Sequence, residues 1–185
     1  MPKEIPFQFF KSLAASPTSL AEDEQTLVSA LEPKAKVVLK KFDFDRVLER
    51  FNSWFLDLLR KEPPSKKIIG LWFGLYQTED GATLYVSGSN TFDANDPDWP
   101  CSNDWWPKGR YAPLEQLDTL WSELKQCDVE EWEVILGIAI CLVKNFFACY
   151  SGEFQKVSSL SCIHVATGFD SGDIYDIPTS ITPNT

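Results

Sequence analysis

From Phe44 to Lys61 the side chains Phe44, Val47, Leu48, Phe51, Phe55, Leu58 and Leu59 recur at three- and four-residue steps. That spacing lays one apolar stripe along a helix. Asp43 stands where an N-cap belongs, and Pro63-Pro64 stops the helix. Upstream, Ser19 and Glu22 occupy capping-box positions before a helix from Leu20 to about Leu31, which Pro33 ends or kinks. The period then shifts. Ile68 to Tyr76 is a nearly continuous run rich in Ile, Leu, Trp and Phe, the pattern of a central strand. Thr78-Glu79-Asp80-Gly81 supplies turn chemistry, and Thr83 to Ser87 returns as the hairpin partner. Regular spacing is lost from Gly88 to Tyr111. It resumes after Pro113 with Leu114, Leu117, Trp121 and Leu124 on one helical face. Asp128 and Glu131 open another helix, whose stripe of Trp132, Ile135, Leu136, Ala139, Leu142, Val143, Phe146 and Phe147 reaches almost to Gly152. Leu160 to Thr167 then predicts a strand, Asp170-Ser171-Gly172-Asp173 a turn, and Ile174 to Ile177 a short return strand before a Thr-Pro-Asn-Thr tail.

These elements predict an α+β fold: an antiparallel sheet built from two hairpins, packed by helices on one side. Residues 1–41 read as a helical N-terminal extension and residues 42–185 as the α+β domain, with a single core overall. The longest apolar stretch, Val134 to Phe147, is interrupted by Lys144 and Asn145 and is too short for about 30 Å of hydrocarbon, so a buried helix is expected and no membrane partner. Met1 to Phe10 lacks the basic leader and apolar segment of a secretory signal, which makes a cytoplasmic location the expectation.

A net charge of -10 repels phosphate backbones, and no run of Lys or Arg offsets it. Nucleic acid is therefore not an expected partner. Lys34, Lys36, Lys40 and Lys41 cluster, but two of them flank Val37-Val38-Leu39 as the solvated edges of a helix would. The five cysteines have no short zinc-type spacing, and Cys141 and Cys149 fall within the apolar helix as small hydrophobes. No metal site is expected. The segment Asp93-Ala94-Asn95-Asp96-Pro97-Asp98, with Asp104 beyond, has a calcium loop's oxygen-rich composition but puts Pro97 at a ligand position and Asp98 where the turn needs glycine. The nine glycines form no phosphate cradle or dinucleotide fingerprint, so no cofactor is expected either.

The single histidine, His164, alternates with Cys162 on one strand face, formally a Cys–His pair, yet same-face neighbours lie roughly 7 Å apart and a structural histidine is the simpler account. Acidic residues at Glu130-Glu131-Glu133 suit a helix N-terminus, and Asp170 with Asp173 suits a hairpin turn. What remains is the long loop, which carries Trp99, Trp105, Trp106, Arg110 and Tyr111 among Asp93, Asp96, Asp98 and Asp104. Aromatic and arginine side chains are what binding hot spots favour. The competing account is a self-packed loop whose tryptophans cap the core while Arg110 stacks on one of them.

The segments Phe73-Gly74-Leu75-Tyr76, Glu79-Asp80-Gly81, Ser89-Asn90-Thr91, Trp105-Trp106 and Gly168-Phe169-Asp170-Ser171-Gly172-Asp173, spread over residues 42–177, resemble bacterial domain-of-unknown-function families related to toxin-immunity proteins. The resemblance implies a small, acidic, cytosolic protein that neutralises a toxin. The leading expectation is accordingly a non-enzymatic protein-binding module, immunity-like, whose acidic residues steer a basic partner while Trp105 and Trp106 supply contact area. The alternatives are a small hydrolase or transferase using acidic residues of the 90–111 loop with Cys101 or His164, and a subunit that self-associates.

Overall fold

The computed structural model describes residues 5–79, 81–93, 96, 98–127, 130–160, 163–170 and 172–179. Asp80 of the first turn, Asn95 and Pro97, Asp128 as a cap, Cys162, Ser171 and the closing tail lie outside the described residues. The elements are α1 (Phe7–Ala15), α2 (Leu20–Ala30), α3 (Pro33–Leu39), α4 (Phe44–Lys61), β1 (Gly70–Gln77), β2 (Ala82–Ser89), a tight helical turn at Trp99–Ser102, α5 (Glu115–Gln126), α6 (Glu131–Cys149), α7 (Ser151–Val157), β3 (His164–Phe169) and β4 (Tyr175–Ile177).

Two of the caps read from sequence close their helices. Ser19 and Glu22 form the reciprocal capping box of α2, and the Asp43 carboxylate accepts the Arg46 N–H at 3.0 Å at the start of α4. Pro33 takes the first helical position of α3, where its missing N–H costs nothing. Helices α1 and α7 are too short for their apolar stripes to have stood out in the sequence, whereas α3 is the helix that Val37-Val38-Leu39 and its flanking lysines indicated.

Both expected hairpins are present, but the sheet is mixed, which corrects the expectation of an antiparallel one. Its order is β2-β1-β3-β4. β1 pairs antiparallel with β2 and β3 with β4, while β1 and β3 run parallel from Gly70 opposite His164 to Leu75 opposite Phe169. The reason lies in the connection. Three helices, α5 to α7, intervene between β2 and β3, and so long a crossover can return the chain in the original direction on the far edge of β1. The β3 strand also starts later than expected, at His164, and extends to Phe169. The outer edge of β2 is sealed by the following loop: Gly88 and Trp105 exchange backbone hydrogen bonds, Val86 N–H donates to the Arg110 carbonyl, and Ala112 N–H to that of Leu84. An otherwise open strand edge is thereby closed.

The helices cover one sheet face, where Leu71, Phe73, Leu75, Leu84, Val86 and Val165 join the main core. Phe55 is the hub of an aromatic cluster, its ring centroid 5.0 Å from those of both Phe73 and Phe146. Helix α6 is enclosed from Glu133 to Phe147. By length and composition it passes for a membrane span, and most of it is buried inside the fold. Residues 5–41 share this core: Ile5, Phe10, Leu13, Leu27, Leu31 and Leu39 are all buried in the same cluster. The two polar residues that interrupt the α6 stripe face them. Lys144 Nζ donates to Asp23 Oδ1 (2.5 Å), the Leu13 carbonyl (3.0 Å) and Thr18 Oγ1 (2.9 Å), and Asn145 Nδ2 donates to Asp23 Oδ2 (2.8 Å).

Candidate functional site

The opposite sheet face follows from strand alternation. Gly70, Trp72 and Gly74 of β1 share it with Ser89, Ser87 and Tyr85 on β2 and with His164, Ala166 and Gly168 on β3. Most of these side chains are small, so large ones from the 90–111 loop settle on the sheet. A methyl group on Gly70 would stand 2.5 Å from the Trp99 ring, which rests on that glycine. Phe92 stacks on the His164 ring, 3.5 Å between centroids and 4° between planes, and meets Trp99 edge-on at 5.3 Å. Trp72, Tyr85, Trp99 and Ala166 thus form a second, smaller core, with Phe92 and Ile174 packed against it.

The loop is fastened to the C-terminal end of α4. The Trp105 indole N–H donates to the Glu62 carbonyl at 3.0 Å, and the Trp54 indole N–H to the Gly109 carbonyl at 2.9 Å. The Glu62 carboxylate accepts the backbone N–H groups of Lys108 and Gly109. Those two donors hold its pKa below the usual glutamate range. This clamp is therefore present at neutral pH and is released as pH falls through the lowered value.

The fastening sorts the aromatic residues into two groups. Trp99 and Trp105 are buried, at 4% and 8% exposure, and belong to packing rather than to a contact surface. Trp106 and Tyr111 are exposed, at 45% and 47%. Between them lies the Arg110 guanidinium, its central carbon 4.2 Å from the Trp106 ring and 4.6 Å from that of Tyr111. Of the acidic residues, Asp104 accepts the Asn90 N–H and Asp96 accepts that of Asp98, both at 2.9 Å, while the Asp93 carbonyl accepts the Asp96 N–H. The last two are turn-forming contacts, and the first ties the start of the loop to a point 14 positions along it. Among the described residues no group of three His, Cys, Asp or Glu side chains gathers as metal ligands would.

Between this loop and the β3–β4 turn the sheet face is left uncovered, and a cavity of about 520 Å³ opens there. Trp72, Tyr85 and Trp106 form aromatic walls; Pro100, Phe169 and Ile174 add apolar surface; Asp98, Cys101, Asn103 and Asp170 bring polar groups. Gly74, directly opposite Tyr85, makes room for the two rings: a methyl group there would lie 2.5 Å from both Trp72 and Tyr85. A hydrogen-bonded chain crosses the site. The Trp72 indole N–H donates to the Tyr85 hydroxyl at 3.2 Å, and that hydroxyl donates to Asp170 Oδ1. Burial, and then the bond to Asp170, push the Tyr85 pKa far above its ordinary value. The phenol is fixed as a donor and is unsuited to act as a base.

Of the nine residues expected to form a site, Asp98 and Trp106 line this cavity, and Arg110 with Tyr111 stands beside it on the Trp106 and Tyr85 rings. The reading of the sequence missed Trp72, Tyr85, Phe169 and Ile174, because each belonged to a strand or turn that hydrophobic spacing already explained. A signal was present in the Trp72-Phe73-Gly74 step, where a large aromatic and a glycine share one face. Cys101 lines the cavity, whereas His164 lies beneath Phe92 and outside its lining, so a Cys101–His164 pair lacks its base at this site. No Lys or Arg is among the described lining residues. Comparison of the chain with protein-family models, with curated proteins and with solved structures finds no match.

Proposed function

We infer that the protein is a non-enzymatic binding module that captures a basic partner protein on the outer face of its sheet. One observation carries this reading: an aromatic-walled cavity whose charged lining groups are both carboxylates, Asp98 and Asp170, beside the exposed Trp106–Arg110–Tyr111 stack. The net charge of -10 would draw such a partner in, and the exposed rings would supply contact once it arrives. The locked Tyr85 phenol, and a described cavity lining that includes Cys101 but not His164, favour recognition over catalysis. Neutralising a toxin is one form of such capture, and it is the form the family resemblance implies.

The test is affinity capture from the host lysate followed by titration of the protein retained. Trp106→Ala combined with Tyr111→Ala is expected to weaken binding about 30-fold, the effect of losing about 2 kcal/mol at an interface anchor, with the melting temperature unchanged. Raising the salt concentration should slow association. Equal capture by wild type and a folded double variant would remove this face from consideration. Trp105→Ala serves as a contrast: its ring is buried and hydrogen-bonded to Glu62, so the variant should lose about 3–5 kcal/mol of stability.

A further inference from the structure

We propose that the cavity on the outer sheet face receives one lysine side chain of the partner, its ammonium group set between Asp170 and the aromatic rings. The proposal rests on the binding-module reading above and names the chemistry recognised. Three features lead to it. Trp72, Tyr85 and Trp106 line the cavity with rings whose faces carry the negative side of the quadrupole, which attracts a cation most strongly when water is excluded; Arg110 already occupies one side of Trp106. Among the described residues no lysine or arginine lines the cavity, and Arg110 stacks on Trp106 and Tyr111 rather than on Trp72 or Tyr85, so the two inner rings and Asp170 have no cation of their own. Pro100, Phe169 and Ile174 offer apolar surface along which an alkyl stem can lie while its charged end reaches the carboxylate.

The choice of lysine over arginine follows from Asp170. Its Oδ1 already accepts the Tyr85 hydroxyl, so the planar fork of a guanidinium would compete with that bond for a two-point contact. A compact ammonium needs only the other oxygen and one ring face. At about 520 Å³ the cavity has the size of an ordinary ligand site, enough for a lysine side chain and the backbone that presents it. The Trp72–Tyr85–Asp170 chain holds the carboxylate in place before the ligand arrives, which lowers the ordering cost of binding.

The probes are Nα-acetyl-lysine methylamide and its arginine and norleucine counterparts, titrated at constant ionic strength while the indole N–H resonances are followed by NMR. The lysine amide is expected to shift the Trp72 and Trp106 signals and to saturate at roughly millimolar concentration. The arginine amide should bind at least about threefold more weakly. The uncharged norleucine amide should leave both signals in place. Asp170→Asn keeps an acceptor for Tyr85 but removes the charge, and should weaken the lysine amide about tenfold without lowering the melting temperature. Equal binding of norleucine and lysine, tighter binding of arginine, no binding of lysine, or an unchanged affinity in Asp170→Asn would each overturn the assignment. If the lysine amide fails while the wild type still captures a basic partner that the Trp106/Tyr111 variant loses, the lysine assignment falls and the module reading stands. If the lysine amide binds as expected and no partner is captured, the module reading falls and the ammonium site stands.

Discussion

Lys144→Met alone is expected to destabilise the fold by about 3–5 kcal/mol, because it leaves the fully buried Asp23 carboxylate without its countercharge. In a chain of this length that corresponds to a fall in melting temperature of roughly 10 °C. Asp23 would keep the Thr18 hydroxyl and the Asn145 amide, which satisfy lone pairs but do not neutralise a charge. The Leu13 carbonyl and Thr18 hydroxyl would also lose a donor, and with it the tie between the end of α1 and the start of α2. Removing both charges should be far milder. Asp23→Leu with Lys144→Met replaces the ion pair by apolar volume, and such exchanges are often neutral or stabilising. Urea unfolding of the two single variants and the double variant completes the cycle. A single variant that loses less than about 1 kcal/mol would mean that the pair is hydrated and that this network does not hold the N-terminal helices.

The same lysine shows where sequence reading stops. Lys144 and Asn145 mark a break in an apolar stripe, and nothing in their neighbours indicates that Asp23, 121 positions away, completes them. Local signals transferred well: the Ser19–Glu22 box, the Asp43 cap and the β1–β2 hairpin all depend on atoms a few residues apart. The parallel pairing of β1 with β3 depends on how three intervening helices pack, which no local pattern encodes. The tryptophans of the loop behave likewise. Trp99, Trp105 and Trp106 stand within eight residues and share one chemistry, but Gly70 receives the first, the Glu62 carbonyl fixes the second, and only the third reaches solvent. Part of the candidate site was therefore legible as an aromatic loop. Its other wall was not, because Trp72, Tyr85 and Asp170 come together through strand register across 85 positions of chain between Tyr85 and Asp170.

Deleting residues 1–41 is expected to abolish cooperative folding of the remaining 42–185 chain. The segment contributes Ile5, Phe10, Leu13, Leu27, Leu31 and Leu39 to the core, and burying one such side chain is worth about 1.5–3 kcal/mol. The surfaces it would expose matter as much as the side chains it removes. Leu27 sits against Gly137 of α6, Phe7 and Phe10 pack on Tyr175 of β4 with ring centroids 5.3 and 5.9 Å away, and the Ile5 N–H donates to the Glu133 carboxylate. The deletion would also remove Leu13, Thr18 and Asp23, the described partners of Lys144, and leave its charge on a largely apolar face of α6. Together these losses are comparable with the roughly 5–15 kcal/mol that separates a folded domain from its unfolded chain. The 42–185 fragment should retain helical circular dichroism, bind a hydrophobic dye and melt without a transition, the behaviour of a chain whose packing is lost while its secondary structure persists. A synthetic 1–41 segment added in trans should restore a cooperative melt, since its binding surface on α6 and β4 remains encoded in the fragment. A fragment that instead melts cooperatively within about 5 °C of the full chain would make α1 to α3 an addition to a self-sufficient domain, with the Asp23–Lys144 pair a fastening between two parts rather than a support of one core.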